Sequence, residues 1–433
     1  MSAFPSIFRV RQTFERPRVA DIPGQVRQEL EKLRLEQSIK PGQSVAITVG
    51  SRGVANIHII AKAMVDAIKR LGAAPFIVPA MGSHGGGTAE GQRTVLASYG
   101  VTEEFCGCPI RASMETVVVC QTAEGFDVHF DRQAFGADHV VVCNRIKPHT
   151  DFVGDIESGL MKMMLIGLGK HEGAKVYHRA IQDYSFGQIV RSVGARVLES
   201  CRIVAGLGIV ENGYDETAAI VGVGPREFEA REKELLVLAK MLLAGLPFDQ
   251  AHLLIIDEMG KNISGTGMDT NVVGRKFLSH RAAPEEFPKV KRILIRGLTE
   301  ATHGNASGIG LAEFCTRRAV EQTDIEMTRI NCLTAGHIAA AMLPLDYPTD
   351  RAMLEAAIPT IGMVEPQDAK LLWIHNTLEL SEVECSAAFW DEAAGRSDLE
   401  ILSDPRPLPF DAAGNLPQGG VRALAAKNEH VRA

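Results

Sequence analysis

Six residues of the chain have the types and placement to do chemistry together: Arg52, His84, His149, Lys162, His178 and Lys261. Four of them follow short apolar runs that read as strands. "AITVG" leads to Ser51-Arg52, and "FIVPAM" leads to Gly82-Ser83-His84. "VVCNRI" leads to Lys147-Pro148-His149, and "LLIIDEMG" leads to Lys261. Open α/β sheets bind ligands just beyond the carboxyl ends of their strands. An arginine fork there grips a carboxylate through two bonds. Two imidazoles act as general acid and general base near neutral pH. A lysine neutralises a second oxygen or a phosphate. Such a set suits an anionic substrate whose protons must be moved.

The remaining two residues lie in "NRIKPHTDFVGDIESGLMKMMLIGLGKHEGAKVYH", 144–178, where Lys162 interrupts an apolar run. An unpaired ammonium is costly to bury, and burial favours its neutral form. Either Lys162 extends its charged end to water along the helix, or it serves as a neutral amine and covalent anchor. His178, sixteen residues on, is a candidate metal ligand; a packed or surface histidine is the plainer alternative. The nearby glycines of "MGSHGGGTAEGQ" form neither a Walker A sequence nor G-x-G-x-x-G. Before a helix they can hold an anion through main-chain N–H groups, or simply make a tight turn. "HGGG" suits an esterase oxyanion loop, but no serine in the chain has glycines at −2 and +2 to form the required elbow.

Positioning these residues requires strands and helices in alternation. "SVAITVG", "PFIVPAM" and "HVVVCNRI" read as buried strands. "IHIIAKAMVDAIKRLG" has helical periodicity and ends at a glycine. Thr88 is suited to cap the next helix, and "TVVVCQT" with "FDVHF" reads as a hairpin turning at "AEG". The pattern predicts an α/β protein of two domains, each a mixed or parallel sheet flanked by helices, with the active site in the interdomain cleft. The boundaries expected are 1–247 for a cofactor-anchoring domain and 248–404 for a second α/β domain. The tail 405–433 is expected to pack back on the first. A helix is expected from about Leu311 to Gln322.

Composition narrows the function. The chain has 433 residues, 45% hydrophobic and 23% charged, with net charge −7. Length and composition fit a soluble protein with two or three cores. No polybasic tract points to nucleic acid, and no window approaches the roughly 18 apolar residues of a membrane span. The eight cysteines form no C-x-x-C pair, which argues against a structural zinc site and for a reducing, cytoplasmic setting.

The order and context of the six residues resemble the nickel-dependent lactate racemase family. Its first histidine follows a strand in a context like "GSHGGGTAEGQ". Its second belongs to a proline-histidine pair like "KPH" at 147–149. Its cofactor-bearing lysine and nickel-ligand histidine have the separation of Lys162 and His178. The resemblance implies a nickel-pincer nucleotide, a pyridinium mononucleotide holding nickel through two sulfurs and one ring carbon. Lys162 would carry it as an uncharged amide and His178 would complete the nickel site. His84 and His149 would exchange the hydroxyl proton of a 2-hydroxy acid while its C2 hydride shuttles. Arg52 would hold the carboxylate, and Lys261 would stabilise oxyanion charge. The implied activity is that of an isomerase, a 2-hydroxy acid racemase or epimerase served by cofactor-maturation proteins. Three features depart from the family. The arginine lies in Val49-Gly50-Ser51-Arg52-Gly53, the spacing from His149 to Lys162 is longer, and a glycine-rich loop at 264–275 has no assigned counterpart. These changes fall on the substrate side and leave a larger hydroxy acid, such as a sugar acid or a dicarboxylate, as open as lactate itself. Two further readings stay open: a Schiff-base lyase or aldolase using Lys162, and a non-catalytic homologue that binds nucleotide or nickel.

Overall fold

The computed structural model describes residues 4–51, 53–151, 153–181, 183–276 and 286–429, with backbone alone for His178 and for 425–429. It forms two compact units, Glu15–Leu243 and Met1–Phe14 with Ala244–Ala433. The fold is mixed α/β. The first strand, β1 (Ile7–Gln12), belongs to the second of these units.

In the unit Glu15–Leu243, β2 (Ser44–Val49), β3 (Ala74–Pro79), β6 (His139–Arg145), β7 (Ile203–Glu211) and β8 (Thr217–Val223) make one sheet in the order β3-β2-β6-β7-β8. Between β3 and β6 in sequence, β4 (Thr116–Gln121) and β5 (Asp127–Asp131) form a separate antiparallel hairpin. Strands β3, β2, β6 and β7 run parallel, and β8 returns antiparallel to β7. Sheets covered on both faces have near-continuous apolar strands, and β2 is buried from Val45 to Val49. Alternate residues divide between the faces. Val45, Ile47 and Val49 pack against the helix Ile57–Arg70, which buries Ile57, Ile60, Ala61, Met64, Val65 and Ile68 at helical spacing. Ala46, with Val78, Val140 and Val142, packs instead on Leu160, Met164, Leu165 and Leu168, the apolar run that contains Lys162. Each aliphatic side chain fully buried in such a core contributes about 1.5–3 kcal/mol.

The other unit is built on β9 (Gln250–Ile256), β10 (Lys289–Ile295), β11 (Phe314–Thr316), β12 (Leu345–Tyr347), β13 (Leu371–Ile374), β14 (Glu382–Ser386) and β15 (Leu399–Ile401). With β1 they form an eight-stranded sheet, ordered β12-β11-β10-β9-β13-β14-β1-β15. Its parallel half ends at β13, and β14, β1 and β15 continue antiparallel.

Three expectations are corrected. Residues 1–14 do not belong with the first domain: β1 pairs with β14 and β15, and its buried Arg9 donates to Glu384 (2.8 Å). The tail packs on the C-terminal unit instead of the N-terminal one. Leu408, Leu416, Val421 and Leu424 join a core with Leu253, Ile255 and Trp373. Arg296 donates to the Leu416 carbonyl (2.9 Å), and Asp257 accepts the Val421 N–H (2.8 Å). The helix expected from Leu311 begins only at Arg317, because Phe314 and Cys315 are taken into the sheet between β10 and β12. Partners hundreds of residues away fixed the first two outcomes, and local periodicity carries no trace of them.

Candidate active site

The parallel run β3-β2-β6 puts three strand exits at one edge of one sheet. Ser51 leaves β2, and His84 follows β3 beside it. His149 follows β6, on the other side of β2. Adjacent strands lie about 4.8 Å apart, so the two histidine-bearing exits are separated by about two strand spacings.

His84 is exposed, and its Nδ1 is hydrogen-bonded to the Ser51 hydroxyl. The Tyr99 hydroxyl in turn donates to the Ser51 carbonyl (2.5 Å). The loop after His84 runs through Gly85, Gly86 and Gly87 with φ of +67°, +66° and +64°. That left-handed backbone favours glycine, and a Cβ on Gly85 would lie 2.6 Å from the Gln92 nitrogen. Thr88 accepts the Gly91 N–H (3.0 Å) and starts the helix Ala89–Ser98. Gln92, fully buried, donates to the carbonyls of Gly82 (3.0 Å) and His84 (3.3 Å).

Behind this loop lies Lys170, which the sequence reading passed over. It is completely buried at the start of the helix Lys170–Ala180, with φ +54°. Its ammonium lies 3.1 Å from the buried Asp131 carboxylate. It also donates to the Gln92 side-chain oxygen (3.1 Å) and to the Pro79 carbonyl. Burial pushes the Lys170 amine down and the Asp131 carboxyl up, and the charge of each partner opposes the shift in the other.

His149 is half-buried. Its main-chain N–H donates to Glu157 (2.7 Å), a nearly inaccessible carboxylate that also receives Lys240 (2.5 Å). Its ring Nδ1 accepts the Asp151 N–H (3.0 Å), and the ring stacks on Phe186 with centroids 6.1 Å apart. The sequence motifs drew attention to none of Ser51, Gln92, Asp131, Glu157, Lys170 or Phe186. Ser51 and Gln92 contact His84, Glu157 and Phe186 contact His149, and the Lys170–Asp131 pair backs Gln92.

Lys162 is half-buried and ends a short helical turn, Leu160–Lys162, which widens into a π-helical segment at Met163–Gly167. Single π turns inside helices recur at functional sites. The Met161 N–H donates to the fully buried Glu232 carboxylate (2.8 Å), and Asn144 donates to the Gly159 carbonyl (2.9 Å). His178 lies on the helix Lys170–Ala180, its side chain outside the described residues. Arg52 also lies outside them. Lys261 belongs to the C-terminal unit. Its N–H donates to Thr302 (2.9 Å) and its ammonium to the Gly265 carbonyl (2.6 Å). Among the described residues, His84 is joined to Ser51, and His149 and Lys162 lie in the same unit; Lys261 belongs to the other unit.

A nickel-pincer nucleotide asks little of the protein's donor set: one amine to acylate and one imidazole for the metal. The described residues fit that demand at the amine. Lys162 emerges half-buried from an apolar wall that accepts an amide more readily than an ammonium. Among the described residues, no group of three or more His, Cys, Asp or Glu is placed to hold a metal ion by itself.

Comparisons with known proteins agree with this architecture. Residues 10–186 match the model of the lactate racemase N-terminal domain. The lactate racemase apoprotein from Thermoanaerobacterium thermosaccharolyticum shares the fold at TM-score 0.52 and 12% identity, over 87% of this chain and 99% of that one. A Thermotoga maritima protein solved by a structural genomics consortium does so at TM-score 0.52 and 13% identity, over 85% and 99%. No curated protein matches the chain at significance. The sheet that sends His84 and His149 off parallel strands thus lies within the part of the chain, residues 10–186, that matches the lactate racemase N-terminal domain, and the chain shares the fold of the lactate racemase apoprotein.

Proposed function

We propose that this chain is a racemase or epimerase that inverts C2 of a 2-hydroxy acid, lactate or a larger one. Lys162 would carry a nickel-pincer nucleotide as an amide, and His178 would be its metal ligand. When bound, that group supplies a reversible hydride acceptor. The observation that carries the reading is the disposition of His84 and His149 on parallel strand exits flanking β2, within a lactate racemase N-terminal domain. Two imidazoles separated by a strand can address opposite sides of one substrate.

The chain's own residues then divide the work. Arg52, directly after β2, holds the substrate carboxylate. One histidine takes the hydroxyl proton as the substrate is oxidised to the planar 2-oxo acid, and the other returns a proton as the inverted alcohol forms. Ser51 steadies His84 through Nδ1, and its hydroxyl can donate to a neutral ring or accept from a protonated one. The Asp151 N–H and the Phe186 face steady His149. Lys261 is assigned to charge developing on the substrate oxygen.

The test is a panel of C2-deuterated 2-hydroxy acids offered to the protein made beside the cofactor-synthesis proteins. Inversion with the label retained at C2 is expected, as is an intact-mass adduct on the peptide containing Lys162. A preparation that carries nickel and the adduct yet inverts no substrate would overturn the catalytic reading. Borohydride trapping of a 2-oxo acid on Lys162 would replace it with the Schiff-base reading.

A further inference from the structure

Glu232 has no part in the chemistry above, yet it is one of the most unusual groups in the chain. It sits on the helix Phe228–Met241 with no solvent exposure. Among the described residues, no cation offsets its charge. Its compensation comes from main-chain N–H groups at Leu160 and Met161, the latter at 2.8 Å. Burial pushes its carboxyl up to about 7. A buried carboxylate without a counter-charge is costly to keep, and an apolar residue would fill the same space at less cost.

What it touches explains its presence. Leu160 and Met161 open the turn from which Lys162 projects, and their N–H groups would otherwise be unsatisfied in an apolar core. The neighbouring Gly159 completes the arrangement. A Cβ there would lie 2.6 Å from the Glu232 carboxyl carbon, so any other residue would push the carboxylate away. Gly159 is extended, at φ −179°, so its identity is required by that close approach and not by backbone strain. On the other side, the Asn144 amide holds the Gly159 carbonyl (2.9 Å). The start of the turn is clamped from both sides, and the π-helical widening begins directly after Lys162.

We propose that Glu232 is a positioning residue for Lys162: its carboxylate clamps the turn that aims the lysine, and residue 159 is glycine so that the carboxylate can reach. The proposal rests on the reading of Lys162 as the cofactor anchor.

The test uses the full chain as wild type, Glu232→Ala, Glu232→Gln, Gly159→Ala and the double variant Gly159→Ala/Glu232→Ala. Each is made beside the cofactor-synthesis proteins, and the fraction carrying an adduct at Lys162 is measured by peptide mass. Misaiming a reacting group by about 1 Å costs one to two orders of magnitude, so Glu232→Ala and Gly159→Ala should each lower loading about tenfold or more. Glu232→Gln keeps an oxygen for the Met161 N–H and should load within about threefold of wild type. Gly159→Ala should add nothing to Glu232→Ala, because the carboxylate it displaces is already gone. The second readout needs no cofactor: acetylation of Lys162 by N-hydroxysuccinimidyl acetate, relative to the exposed Lys175. A loosened turn should raise that ratio about threefold in Glu232→Ala and Gly159→Ala and leave it unchanged in Glu232→Gln. General destabilisation would raise both lysines alike and overturn the proposal. So would wild-type loading and acetylation in Glu232→Ala, or in Gly159→Ala where the alanine at 232 does not fold. Wild type without any adduct would sink the anchor reading instead, and the acetylation ratios alone would then decide the role of Glu232.

Discussion

Lys162 and Lys170 stand eight residues apart in the same apolar run, and the fold treats them in opposite ways. Lys170 is the one sealed in the core, in a left-handed conformation, against Asp131, Gln92 and the Pro79 carbonyl. Lys162 stays half-buried, at the turn clamped by Glu232. An ammonium in an apolar stretch therefore has two explanations within one segment. One is a buried charge paired with a carboxylate, and the other is a half-buried amine, the one proposed to carry the cofactor. The difference lies in what the rest of the chain brings to each: a hairpin end delivers a carboxylate to Lys170, and a distant helix delivers a carboxylate to the backbone before Lys162.

The contrast breaks most sharply at Lys170. Removing one partner of a buried pair strands the other, so Lys170→Met should lower unfolding stability by about 3–5 kcal/mol in urea titrations. The double variant Lys170→Met/Asp131→Leu should recover most of it, whereas Lys162→Met should stay within about 1 kcal/mol of wild type. Equal losses at the two lysines would erase the distinction.

Glu232 sharpens the comparison through pH. Its carboxyl is raised to about 7 in the folded chain, while the unfolded chain ionises it near the ordinary glutamate value of about 4.3. Between those values the native state binds the extra proton, so this group's contribution to stability falls as pH rises from about 4.3 to about 7 and is flat above. Glu232→Gln removes that decline. The variant's advantage over wild type should grow by about 3 kcal/mol across that window, read from urea midpoints at pH 5, 6, 7 and 8. A constant difference would show that the carboxylate is not held as the structure implies.

The smallest effect lies at the bridge between the Lys170 cluster and the site. Gln92→Leu leaves the Gly82 and His84 carbonyls and the Lys170 ammonium each short of a partner. A loss of about 1–3 kcal/mol is expected. Turnover should fall further than the loss of folded protein explains, because the His84 loop loses its tie to the core. Turnover that merely tracks the folded fraction would limit Gln92 to packing.

Much of the fold near the site was legible. Short continuous apolar runs gave β2, β3 and β6, the spacing of Ile57, Ile60, Met64 and Ile68 gave a helix, and Thr88 caps the helix it was expected to cap. The reading failed where a segment's partner lies far along the chain. β1 and the tail both joined the C-terminal unit, and Phe314–Thr316 became a strand because two neighbours claimed it. The supporting residues were missed for the same reason. Asp131, Gln92 and Glu232 are ordinary polar residues in sequence and become notable only once buried.

By itself, the sequence determined the local elements and the residue types at their ends, because hydrophobic period and turn chemistry act over a few residues. Only the tertiary structure decided which of two lysines is buried and which carboxylate answers it. Burial and pairing depend on chain segments that meet across tens or hundreds of positions, and the cost of a buried charge is set by the groups that surround it.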